Sequence, residues 1–114
     1  MQVHYLEFVC ADVVAQCAAL EAAQGLSFGP PNPDLGHARV AVGEGGTRVG
    51  VRAPLADHEQ PVIRPYFAVD DIVQAVAKVE AEGATVAYPP TRQGDTGTWA
   101  IYHVGDLQIG LWQG

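Results

Sequence analysis

Four short stretches hold most of the residues that could do chemistry, and in each of them those residues alternate. Tyr5 and Glu7 stand two apart, as do Arg64 and Tyr66. Arg48, Gly50 and Arg52 keep the same spacing, and so do Gln108, Gly110 and Trp112. Arg39 and Tyr102 sit in two further runs of the same kind. A spacing of two puts side chains on one face of a β-strand. The chemistry on offer is recognition more than bond breaking. The planar arginine fork grips a carboxylate two-handed and stacks on rings, which lysine does not. Tyr5, Tyr66, Tyr102 and Trp112 are flat walls for a ring, each stack adding about 0.5–1.5 kcal/mol beyond area burial. Glu7 is the weak candidate for a catalytic group, as a general base, although no partner at fixed spacing accompanies it.

The elements that carry these residues come in two copies. Shifting the chain by the interval from Asp12 to Asp71 also aligns Val3 with Val62, Phe8 with Phe67, Val14 with Val73, Ala18 with Ala77 and Glu21 with Glu80. Ala22 then meets Ala81, and Pro30-Pro31 meets Pro89-Pro90. Such self-similarity sets the architecture. Val3 to Val9 and Ile63 to Val69 are β-rich runs. Val13, Cys17 and Leu20 form an apolar helical stripe closed by Gly25. Ile72, Val76 and Val79 form the second, opened by Asp70 as N-cap and stopped by Gly83. A short strand ending in Pro-Pro follows in each copy. Two hairpin strands come next: His37–Val42 with Thr47–Arg52, and Thr98–Val104 with Leu107–Trp112. The expected fold class is α+β, one domain over 1–114 built from two βαβββ modules, about 1–55 and 61–114.

Alternation then assigns faces. If Leu6, Phe8, Phe67, Val40, Val42, Val49, Val51, Trp99, Ile101, Ile109 and Leu111 pack under the helices, the opposite face collects the rest. It carries Tyr5, Glu7, Arg39, Ala41, Arg48, Arg52, Arg64, Tyr66, Tyr102, Gln108 and Trp112, with Gly50 and Gly110 opening room between them.

Composition narrows the partners. Thirteen acidic residues against six basic ones give a net charge of −7, which disfavours nucleic acid because phosphate binding needs a basic patch. No apolar run reaches the roughly twenty residues of a membrane span, and the amino-terminal stretch lacks a basic leader, so a cytoplasmic protein is expected. Cys10 and Cys17 make neither a disulfide framework nor a zinc motif. The segment Gly43-Glu44-Gly45-Gly46 lacks the Lys-Ser/Thr of a phosphate loop and reads as a turn.

The stretches YLEFVCADVVAQCAAL and PYFAVDDIVQAVAKVEAEGATV, with the following Pro-Pro and the closing DLQIGLWQ, resemble the vicinal oxygen chelate superfamily. That superfamily contains glyoxalase I, extradiol dioxygenases and bleomycin- and fosfomycin-resistance proteins. The resemblance implies curved mixed sheets around a cavity with the helices outside, and pairing as a homodimer. It also implies four metal ligands, one on the first strand and one Glu on the last strand of each module. The matching positions here hold Tyr5, Gly50, Arg64 and Gly110. An arginine cannot ligate a cation and glycine offers no side chain, so no metal and no cofactor is expected.

The function expected from these residues is a metal-free, small-molecule-binding protein. It would sequester a flat aromatic, partly anionic ligand in its cavity, as antibiotic-resistance members of the superfamily do with theirs. The alternative is a glyoxalase-like lyase or isomerase, or a dioxygenase, with displaced metal ligands or Glu7 as base. A dimer whose cavity is filled by side chains is a third reading. Glu7 and Arg64 could also form a buried ion pair, Arg48 and Arg52 could coat a solvated strand, and Trp112 could serve a dimer contact.

Overall fold

Asp12 and Asp71 open the two helices from equivalent places in the repeat. The computed structural model describes residues 1–114. The Asp12 carboxylate accepts from the Ala15 N–H at 3.0 Å, and α1 runs Val13–Gln24 to Gly25, which takes the left-handed conformation at φ 68°. The Asp71 carboxylate accepts from the Gln74 N–H at 3.1 Å and α2 runs Ile72–Ala81. The cap is therefore Asp71 and not Asp70, because only the residue three before a free N3 amide can reach it. Gly83 follows α2 at φ 100°, a conformation glycine adopts without steric cost.

The strands are β1 (Val3–Val9), β2 (Arg39–Val42), β3 (Arg48–Arg52), β4 (Val62–Ala68), β5 (Thr85–Arg92), β6 (Thr98–Val104) and β7 (Leu107–Gln113). The chain divides into two compact units, Tyr5–Ile63 and Met1–His4 with Arg64–Gly114. In the first, β3 lies between β1, which it meets in parallel, and β2, which it meets antiparallel. In the second, β7 pairs in parallel with β4 and antiparallel with β6, and β6 pairs with β5. The class is α+β with a mixed sheet, as the sequence predicts.

Two details depart from the βαβββ expectation. Residues 26–31 form no strand, so the first unit lacks the one expected before Pro30-Pro31. Pro89 and Pro90 lie inside β5 rather than at its end. That strand pairs on one side only and its register shifts between Val86 and Tyr88 and again between Tyr88 and Thr91, the irregular edge where proline is tolerated.

Each helix packs on a core of matching design. Cys17 of α1 meets Ala41, Val49 and Val51, with Phe8, Val13 and Leu20 at the margin. Ile72 of α2 meets Ala100 and Leu111, with Phe67, Val76 and Tyr102 around them. Two face assignments are thereby corrected. Ala41, 2% exposed, lies under α1, which puts Arg39 on the helix-side face, while Val42 is 64% exposed. Ala100, 1% exposed, lies under α2, which puts Tyr102 on that side as well and turns Trp99 and Ile101 away from it. The physical reason is the same in both units. A helix seats close to a sheet over a small side chain, so an alanine, not the bulkier neighbour, occupies the central position.

Both thiols belong to this packing. Burial pushes Cys10 and Cys17 up from the ordinary thiol value, so neither is an activated nucleophile. No helix is long and apolar enough to cross a membrane.

Candidate functional site

In the unit Tyr5–Ile63, Tyr5, Glu7 and Arg52 share the face turned away from α1, because β1 and β3 pair Tyr5 with Arg48, Glu7 with Gly50 and Val9 with Arg52. Arg48 is exposed at the start of β3. The Tyr5 ring lies over Gly50, and a Cβ on that glycine would run into the phenol. The phenol is held well above its ordinary value of 10, first by burial and then by the Glu7 charge, against smaller opposing effects of Arg52 and Arg48. It is a neutral hydroxyl throughout the physiological range.

Arg52 is 7% exposed and sits between two carboxylates. Its Nε donates to Glu7 Oε2 at 2.8 Å. Its Nη1 and Nη2 donate to the two oxygens of Glu59 at 2.8 and 2.7 Å, and Nη1 also reaches the Ala53 carbonyl at 3.2 Å. Burial alone would lower the pKa of this guanidinium, but the Glu59 and Glu7 interactions raise it beyond its ordinary value. Glu59 Oε1 further accepts from the Leu55 N–H at 2.7 Å, fastening the loop after β3. Arg52 is thus held by two protein carboxylates, and Glu7 Oε2 accepts from it. Glu59 is the residue that sequence reasoning missed, since it lies in a loop with no periodic signal.

In the second unit, Tyr66 pairs with Gly110 and Ala68 with Trp112 across β4 and β7, which sets Arg64, Tyr66, Gln108 and Trp112 on one face. The Tyr66 ring covers Gly110. It meets Trp112 edge-on, centroids 5.6 Å apart at 81°. His4 lies on the same indole, 5.6 Å away and tilted by 33°. Trp112 is 4% exposed and its Nε1 donates to the Thr96 carbonyl at 2.9 Å. Arg64, 6% exposed, donates from Nε and Nη2 to Gln108 Oε1 at 3.1 and 2.7 Å, and from Nη1 to the Tyr66 hydroxyl at 3.5 Å.

The hollow expected at the two glycines is therefore covered in each unit by a tyrosine ring. Arg39 and Tyr102 do not join these faces. A divalent metal does not fit the residues present. The positions that the resemblance gives for metal ligands hold Tyr5 and Gly50 in one unit and Arg64 and Gly110 in the other, and each glycine is roofed by a tyrosine ring. No group of three or more His, Cys, Asp or Glu side chains could hold such an ion, whereas metal sites take three or four N, O or S donors.

No family model matches the chain, and no curated protein matches it. Solved structures do. Methylmalonyl-CoA epimerase from Mycobacterium tuberculosis superposes with a TM-score of 0.75 at 18% identity, covering 97% of this chain and 86% of that one. A hypothetical protein from Bacillus halodurans C-125 gives 0.74 at 11% identity, over 99% and 94%. A variant of Streptomyces coelicolor methylmalonyl-CoA epimerase, in complex with 2-nitronate-propionyl-CoA, gives 0.71 at 16% identity, over 99% and 94%. These neighbours belong to the glyoxalase, bleomycin-resistance and dioxygenase superfamily, and with them this chain shares the vicinal oxygen chelate fold.

Proposed function

We propose that this chain is a metal-independent binding protein for a flat, partly anionic organic molecule, working by sequestration as a cytoplasmic homodimer. One observation carries the reading. Arg64, at the position that the resemblance to the superfamily gives for a metal ligand, stands nearly buried, steadied by Gln108 and the Tyr66 hydroxyl, with the Tyr66 ring edge-on to Trp112. A fixed guanidinium replaces the positive charge of a metal, and it reads carboxylates by shape. Both rings are buried, so a guest reaches the stacking surface of Tyr66 only when that ring swings off Gly110.

A thermal-shift screen against aromatic acids, antibiotics, glutathione conjugates and CoA thioesters tests this. At least one planar acid is expected to raise the Tm, equally with and without chelator. Saturation at 100 times its Kd corresponds to about 2.7 kcal/mol. Arg64→Gln is expected to abolish the shift. A response confined to cationic compounds, or one that requires a divalent metal, overturns the reading.

A second reading is an enzyme of the lyase or isomerase type. What favours it is that several solved neighbours are methylmalonyl-CoA epimerases, some in complex with acyl-CoA compounds. Turnover of methylmalonyl-CoA by the purified chain, followed by proton exchange with solvent, would establish it. The engagement of Glu7 with Arg52 speaks against Glu7 as the base.

A further inference from the structure

Arg39, displaced from the face where alternation puts it, lines a separate open groove of about 390 Å³ on the helix side of the Tyr5–Ile63 unit. The volume falls at the small end of ligand sites, which run from about 300 to 1,000 Å³. Its walls are apolar: Val13 and Val14 from the first turn of α1, and Pro54 and Leu55 from the loop after β3. Val14 is 73% exposed and Leu55 65%. Its polar members include Arg39 and His37. The Arg39 guanidinium is half-buried, and its protein partners are two neutral carbonyls, Gly29 at 2.9 Å from Nε and Phe28 at 3.4 Å from Nη2. No carboxylate lies within ion-pair distance of it, although the chain carries thirteen acidic residues. Arg52, by contrast, is held by two.

We propose that this groove is a binding site for a small carboxylic acid with a compact apolar tail, distinct from the face that carries Arg64. The carboxylate meets the Arg39 guanidinium, which the two carbonyls orient but do not neutralise. The tail covers Val14 and Leu55, two large apolar side chains otherwise left in water. A single charge with apolar walls of this size suits an acid of the benzoate or octanoate kind, and charge complementarity favours it over the corresponding alcohol or amine.

The test is a titration of the full chain with sodium octanoate and with benzoate, followed by amide chemical shifts, with octanol and benzyl alcohol as neutral controls. Saturable shifts are expected at Val13, Val14, His37 and Leu55 at millimolar acid, with no matching response to the alcohols. Val14→Glu puts a negative charge in the groove at a helix position where an acidic residue stabilises, so this variant folds. It is expected to weaken the acid by about tenfold or more. Arg64→Gln is expected to leave this binding unchanged, which separates it from the proposed function of the other unit. Equal response to acid and alcohol, equal binding by Val14→Glu, or no saturable shift overturns the proposal. So does a change of the same resonances with protein concentration alone, which would assign the groove to a second copy of the chain.

Discussion

The ring of Tyr66 lies across Gly110, its partner in the register between β4 and β7, so closely that a methyl on the glycine would overlap it. Tyr5 does the same to Gly50 in the other unit. Gly110→Ala is therefore expected to cost about 1–3 kcal/mol, the range for forcing a methyl group into a packed site. Gly114→Ala, with nothing near it, is the neutral control. Urea denaturation of both variants checks this, and equal midpoints would place the Tyr66 ring elsewhere.

Arg52 holds Glu7 and Glu59 together, and the two carboxylates differ in exposure, 9% and 21% for their side chains. Arg52→Met withdraws the guanidinium from a carboxylate that is nearly buried, and is expected to cost about 3–5 kcal/mol. Glu59→Gln keeps a hydrogen-bond acceptor at the more exposed end and is expected to cost about 1 kcal/mol. Chemical denaturation ranks the two, and the reverse order would mean that the loop contact, not the Glu7 contact, dominates.

The Tyr5 phenol has a raised pKa because burial disfavours the phenolate. In the unfolded chain it ionises near its ordinary value of 10, while the folded chain keeps the proton. The folded state thus binds more protons above that pH, and stability is lost as pH rises from about 10 upward. It is fully present below. Tyr5→Phe removes the ionisation and is expected to flatten this alkaline loss. Urea midpoints from pH 8 to 11 for both proteins measure it, and parallel declines would show that Tyr5 is not the responsible group.

Arg64 and Arg48 carry the same charge in different surroundings. Arg64 is nearly buried and hydrogen-bonded to Gln108, whereas Arg48 is exposed. Arg64→Ala is expected to cost about 2–3 kcal/mol and Arg48→Ala no more than about 0.5 kcal/mol. Equal effects in thermal melts would reject a structural anchor at Arg64.

The alanines beneath the helices make the register testable. Ala100→Leu overpacks the core under α2 and is expected to cost about 1–3 kcal/mol. Val42→Thr, on an exposed side chain, is expected to change stability by about 0.5 kcal/mol at most. Exchange of these outcomes would restore the alternation read from sequence alone.

Much of this architecture is written in local chemistry. The helix stripes ending at Gly25 and Gly83 depend on residues a few positions apart, and the repeat is a match of one half of the chain to the other, so the chain alone specifies both, whereas the choice of Asp71 over Asp70 as cap waited on the backbone. The grouping of Arg64 with Tyr66, and of Gln108 with Trp112, follows from the two-residue period of a strand. That period says which side chains share a face, but not which face meets a helix. Packing decided this: a helix settled over Ala41 and Ala100, and Arg39 and Tyr102 turned with them. Contacts between distant segments were equally beyond local reading. The reach of Glu59 to Arg52 and the roofing of Gly50 and Gly110 by tyrosine rings arise only when the strands are set side by side, because they depend on through-space distances that no spacing along the chain encodes.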